Sequence, residues 1–345
     1  MKNVIIKALC TPREMEGKAG RSLLKEITKY IGRLSRNIAV PPHPSIDAGA
    51  ERLMGLTRVY ATDPALGVPE EDLGYFAFHF SASDVAVLGA EPKLMTSTIL
   101  LPADASDELA LRIAKGIDWE AYRYGVTVIT GHTGRYESVK EPVVVTTVIG
   151  EVREPVTPKL ARVGDRLLLV GIPGAELLYG IAHFNPTLLE ERFGRRSVEK
   201  WRRARWMLTA VDSARDLVLF SRVNGMKDGA EGGLVRLLND FADAAELGFT
   251  VNKDLIPFPP ELLKLSRERE FDPLAASSSG VVLAAIPSSL PLGFLKDLME
   301  SHGFVVRLIG ELKKDRRELI VNGEVKEFPS SEEVQDPYPD LTQGS

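Results

Sequence analysis

The chain has 345 residues, 44% of them hydrophobic, with 43 Lys and Arg against 48 Asp and Glu for a net charge of −5. That length allows two domains. The charge balance gives no basic field for nucleic acid, and no run of about 18 apolar residues is present to span a bilayer. One cysteine, Cys10, leaves no internal disulfide and no cysteine-based zinc or iron–sulfur centre. The five histidines show no metal-ligand spacing, and the opening residues lack a secretory pattern, so the expected compartment is the cytoplasm.

In chain order, "VIIKALC" reads as a strand in which Cys10 is a small apolar filler. Leu23, Leu24, Ile27, Ile31 and Leu34 share one face of a helix expected over residues 22–34. After a proline-rich break, "RVYATDPAL" reads as extended and "LMTSTILL" as a strand. Ser106 caps a helix running to Tyr124, with Leu109, Ile113, Ile117 and Ala121 on its buried face and Gly125 stopping it. The strands "VTVIT" and "VVVTTVIG" follow.

A charged, proline-containing stretch at 151–165 marks a boundary, after which "RLLLVGIPG" starts a second set of elements. Helices are expected over 174–221. The basic, aromatic run "EKWRRARW" there suits an amphipathic helix with a solvated face. "NGMKDGAEGG" is a glycine-rich loop opening a helix on Leu234, Leu237, Leu238, Phe241 and Ala245, which Gly248 is expected to end as a left-handed cap. "GVVLAAIP" is a buried strand, and "LIVNGEVKEF" is a hairpin turning at Asn322-Gly323. The fold class is therefore α+β in two domains, residues 1–152 and 153–328, with 329–345 as a loose, polar, proline-broken tail.

No Walker-type or dinucleotide glycine motif occurs. What recurs is aspartate where apolar residues give way to small ones: Asp47 in "SIDAGA", Asp63 in "YATDPA", Asp84 in "SASDVA" and Asp228 in "MKDGAEGG". A buried carboxylate must be paired, hydrogen-bonded or bound to a cation, and magnesium takes such oxygen ligands. Turn and cap roles suit each aspartate separately, so composition and spacing leave both readings open. His79 suits packing within its domain better than acid–base work.

The segment from "ATDPALGVPEEDLGYFAFHFSASDVAVLGAEPKLM" through "GVTVITGHTGRY" to "PVVVTTVIGEV" resembles the amino-terminal domain of the AIR synthase (PurM-like) superfamily, and within it the hydrogenase maturation protein HypE. The carboxyl half is similar too, through "GMKDGAEGGLVRLLNDFADAAELGF" and "FDPLAASSSGVVLAAIP". The resemblance implies a two-domain PurM-like fold whose amino-terminal domains pair into a homodimer and bind ATP with magnesium. It aligns Asp84, Asp63 and Asp47 with the metal–phosphate acids and Asp228 with the acid of the carboxyl-domain glycine motif, on the acceptor side. Gly131 and Thr133 match a Gly-x-Thr turn, and Lys18 and Arg21 fall in the glycine-rich arm that reaches phosphate. As exposed helix-start charges those two need no role.

Departures accompany the likeness. Ser83 replaces an Asn, "SIDAGAER" keeps one acid of two, His132 stands for Asp, Ser279 for Glu, and Gly229-Ala230 for Pro-Thr. Each removes a ligand or hydrogen-bonding group, so a weakened or altered magnesium site is expected. HypE ends in a Pro-Arg-x-Cys tail whose cysteine carries the carbamoyl group. The residues here read "PDLTQGS", and cyanide-forming chemistry of that kind is not expected. Two functions follow from the resemblance. One is magnesium-dependent ATP hydrolysis or phosphoryl transfer to an oxygen of a small or carbamoyl-type acceptor. The other is a non-catalytic, nucleotide-binding regulator or assembly partner of another maturation-type protein.

Overall fold

The computed structural model describes residues 19–343. Its first sheet contains β1 (Ile38–Val40), β2 (Ala48–Leu53), β3 (Leu56–Ala65), β4 (Glu91–Pro102), β5 (Thr127–Tyr136) and β6 (Val143–Val152), in the order β1-β2-β3-β6-β4-β5. Helices α1 (Arg21–Ile27), α2 (Leu73–Val87) and α3 (Asp107–Arg123) belong to this half. Strand pairs are antiparallel except β4 with β5, and α3 supplies the crossover that a parallel pair requires. Along β6, Val144, Thr146, Val148 and Gly150 are the buried alternate residues, and they face α2. A Cβ on Gly150 would lie 2.4 Å from Val85, so glycine lets that helix sit close on the sheet.

The second half holds β7 (Arg166–Val170), β8 (Gly225–Asp228), β9 (Gly248–Asn252), β10 (Val282–Ile286), β11 (Val306–Lys313), β12 (Arg317–Val321) and β13 (Glu324–Glu327). Their order is β13-β12-β9-β11-β7-β10-β8. Around them lie α4 (Ala175–Phe184), α5 (Pro186–Phe193), α6 (Arg195–Arg202), α7 (Val211–Phe220), α8 (Gly233–Ala245), α9 (Pro260–Glu268), α10 (Leu292–Ser301) and α11 (Tyr338–Thr342). Every residue of β10 is buried. Leu283 and Ala285 pack into the core beneath α8, while Val282, Ala284 and Ile286 join the core shared with α2 and α4. Covering on both faces explains an uninterrupted apolar run.

Helix α2 is buried at every position but Phe80, because it lies between the first sheet and the second domain. That is why it is apolar all round. Polar ties cross the interface from it and from Asp72 just before it. The Asp72 carboxylate takes the Tyr179 hydroxyl and the Arg205 guanidinium. Tyr75 donates to the Arg205 carbonyl at 3.2 Å, and Ser83 Oγ accepts from the Ala210 N–H at 3.0 Å. His79 joins Thr209 at 2.7 Å and Glu120 at 3.1 Å, while burial holds its imidazole pKa down. It bridges the domains as well as packing within one.

The marked helix begins where Ser106 Oγ accepts from Leu109 N–H at 3.2 Å, and Gly125 follows it at φ 67°. Asn322 and Gly323 turn the hairpin at φ 50° and 81°. In the basic run, Trp201 is buried on α6 and its Nε1 donates to Glu261.

Three expectations are corrected. The first helix ends at Ile27, with Leu23, Ile27, Ile31 and Leu34 exposed, because periodicity alone does not bring a covering surface. Glu246, at φ 56°, is the left-handed residue after α8; Gly248 begins β9, where a Cβ would meet the Arg316 carbonyl at 2.1 Å. The final segment is docked rather than loose through Thr342. Leu341 and Thr342 are buried, and Asp336 accepts the Gly232 and Ser277 N–H groups. Those contacts offset the entropy its composition would otherwise retain. Cys10 and its strand lie outside the described residues.

Candidate functional site

The buried end of α2 brings Asp84 to the domain interface, where it is 6% exposed. Three other elements meet it. Asp47 comes from the turn before β2, Asp63 from β3 with its N–H donating to Ser81 Oγ at 3.2 Å, and Asp228 from the end of β8. Carboxylate oxygens of Asp47, Asp84 and Asp228 lie within 4.8 Å of one another. Two of those acids come from one domain and the third from the other.

Asp84 is raised well above the usual aspartate range, first by burial and then by Asp63, Asp228 and Asp47. Among those acids Asp63 contributes most. Four acids converge there. The Lys227 ammonium, itself buried, pairs with Asp47 from the same strand that carries Asp228. Ser45 also lines the cavity, and its buried Oγ has no hydrogen-bond partner.

The structure brings Asp47, Asp63, Asp84 and Asp228 together and leaves the other candidates elsewhere. Gly131 and Thr133 lie within the edge strand β5 rather than in a turn, paired with Ser97 and Ile99. Gly131 is required there because a Cβ would stand 2.4 Å from the Ser97 carbonyl. Arg21 pairs with Asp243 of α8 and does not line the acid cavity, since the carboxylate offers a closer counter-charge. Lys18 lies outside the described residues. Ser83 is a domain tie rather than a simple loss.

Sequence reading missed Lys227 and Glu176. A lysine inside the short apolar strand before Asp228 was the available signal for the first. Nothing local marked the second: Glu176, on α4, accepts the Ser279 N–H at 2.8 Å, so a carboxylate stands beside the position where the family's own acid is replaced. Burial, then Glu231, pushes Glu176 up to about 8. Its unfolded value is near 4.3, so the unfolded chain releases this proton first and folding is increasingly disfavoured as pH rises from about 4 to 8. Glu176→Gln keeps the acceptor without that penalty. We expect it to stabilise the protein by about 1–3 kcal/mol at pH 8 and to be near neutral at pH 4.5, read from paired thermal melts.

Among the described residues no helix is long and apolar enough to cross a membrane. The description "AIR synthase related protein, N-terminal domain" matches residues 50–152, and "AIR synthase related protein, C-terminal domain" matches 162–322. The chain is 28% identical over 284 residues to carbamoyl dehydratase HypE of Cupriavidus necator, covering 80% of this chain and 77% of that protein. Among solved structures, AaThiL complexed with AMPPCP and TMP superposes with a TM-score of 0.70 at 20% identity, covering 89% of this chain and 94% of that one. Hydrogenase maturation protein HypE in complex with ATP gives 0.67 at 21% identity, covering 86% and 90%. These likenesses establish the fold, and the two matched domains establish the kinship. The chain belongs to the AIR synthase related proteins, with a two-domain architecture like those of HypE and ThiL.

Proposed function

We propose that this is a cytoplasmic ATP-binding protein whose interdomain acids hold magnesium against the nucleotide phosphates, with phosphoryl transfer to an oxygen acceptor as its chemistry. The observation that carries the reading is the convergence of Asp47, Asp84 and Asp228 within 4.8 Å. The donor set suits a hard cation, which prefers carboxylate and water oxygens. The unpartnered Ser45 hydroxyl at the same cavity suits a hydrated ion. HypE with ATP and AaThiL with AMPPCP and TMP support a nucleotide as the ligand.

Asp84, Asp47 and Asp63 would hold magnesium, and Asp228 would orient the acceptor side from the second domain. Bound magnesium neutralises phosphate charge and makes the terminal phosphoryl group easier to transfer. The residues themselves position the groups and exclude water. Asp84 would ligate as the ionised carboxylate, and Lys227 supplies a fixed positive charge from the opposite domain. Calorimetric titration with Mg-ATP tests the reading; binding that needs magnesium supports it, and no binding rejects it.

Lys227 also favours a second reading, a nucleotide-binding regulator or assembly partner without turnover. An ammonium already seated on Asp47 reduces the oxygen ligands open to a metal. HypE solved with HypF supports a maturation-type partner. Mg-ATP binding with no phosphate release in the presence of candidate acceptors would favour this reading.

The homodimer is also part of the proposal. Strand β5 is a sheet edge exposed along nearly its whole length, including Val128, Ile129 and Tyr136. Such an edge pairs readily unless covered. We expect a dimer at micromolar concentration in sedimentation velocity, shifted to monomer by Ile129→Glu. A wild-type monomer would sink it.

A further inference from the structure

The docked final segment touches both domains. It leaves the hairpin at Phe328, whose ring packs edge-on against Phe249, and Asn239 of α8 donates to the Pro329 carbonyl at 2.9 Å. At the start of α8 the Asp336 carboxylate takes four hydrogen bonds. Gly232 N–H donates at 2.7 Å, Ser277 Oγ at 2.5 Å, Ser277 N–H at 3.3 Å and Tyr338 N–H at 2.9 Å. Tyr338 then lies on Gly180 of α4, where a Cβ would come within 2.6 Å of the ring. Its hydroxyl donates to the Gly67 carbonyl of the first domain at 3.1 Å. Asn185 ties down the Leu341 carbonyl at 3.1 Å.

The two loops held this way are those that follow the acid-bearing strands. Gly67 stands four residues after Asp63, and Gly232 four residues after Asp228. The second loop is soft by composition, with Gly232 and Gly233 at φ 77° and 55°. Its own bonds, Gly229 N–H to the Val281 carbonyl and Ser278 N–H to the Ala230 carbonyl, secure its first residues. Asp336 secures the far end.

We propose that residues 329–343 are an interdomain strap and that Asp336 is a positioning residue for the loop that follows Asp228. The strap fixes how far Asp228 stands from Asp84 and Asp47. That consequence for metal affinity rests on the cation site proposed above; the strap itself does not.

The test uses the full chain with Asp336→Asn and, separately, Tyr338→Ala. Asn keeps the size but offers one acceptor oxygen, so an amide NH2 faces a donor from Gly232 or Ser277. Hydrogen exchange on metal-free protein should rise at least about 10-fold at residues 229–233 in both variants, and at 66–68 in Tyr338→Ala. Affinity for Mn2+, read by electron paramagnetic resonance, should fall about 10-fold in folded Asp336→Asn, as for other residues that orient a metal ligand. Unchanged exchange at 229–233 overturns the strap. Faster exchange with unchanged Mn2+ affinity overturns the positioning role. If the wild type binds no Mn2+, the metal reading fails, and the exchange result alone upholds or rejects the strap.

Discussion

Asp84→Asn is expected to lower Mg-ATP affinity by about 30- to 150-fold, the 2–3 kcal/mol characteristic of a charged, hydrogen-bonded contact. Asn preserves size and one acceptor but provides no anionic oxygen for a hard cation. The fold should survive the change. Burial and three neighbouring acids raise the Asp84 pKa, so the ionised form is disfavoured in the folded protein and its penalty grows as pH rises above about 4. Asn carries no such penalty, and the melting temperature at pH 7 should stay level or rise. Titration and melts on the same preparations separate the roles. Unchanged affinity in a protein that binds Mg-ATP rejects Asp84 as a ligand. A lower melting temperature with unchanged affinity makes it structural.

Lys227→Met is expected to destabilise the metal-free protein by about 3 kcal/mol, because a buried ion pair loses one partner while the other charge stays in place. For a domain of this size that is a fall of ~6–12 °C in melting temperature. Added Mg2+ should recover most of the loss in the variant and add less to the wild type, since the cation replaces the charge that the ammonium supplied. Recovery by Mg2+ but not by equal ionic strength of NaCl distinguishes ligation from screening. A variant as stable as wild type would mean that the pair contributes nothing to holding the acids together. A loss that Mg2+ leaves untouched would argue against the cavity as a cation site.

Much of the architecture was legible because its causes are local. Ser106, the four-residue apolar spacing after it and Gly125 specify α3, since capping, periodicity and a left-handed stop all act within a few residues. Asn322-Gly323 specifies a hairpin for the same reason. The failures share a cause as well. Leu23 to Leu34 had helical spacing without a surface to cover it, and Gly248 was read as a cap when its need comes from the Arg316 carbonyl just before the neighbouring strand β12. The polar, proline-broken end of the chain looked loose until Gly232, Ser277 and Gly180 provided places for Asp336 and Tyr338.

The sequence by itself determined the two-domain α+β class, the family resemblance and the short list of aspartates. These rest on local periodicity, on turn chemistry and on motif order, all of which can be read along one dimension. Only the tertiary structure decided which candidates meet. It joined Asp47, Asp63, Asp84 and Asp228 across a domain boundary and sent Arg21 to Asp243. It left Gly131 and Thr133 on an exposed edge, and set Lys227 on Asp47. It also put Glu176 beside Ser279. The physical reason is that Coulomb interaction and desolvation depend on distance and burial in space, and residues 180 positions apart, such as Asp47 and Lys227, carry no mark of their pairing in the chain order.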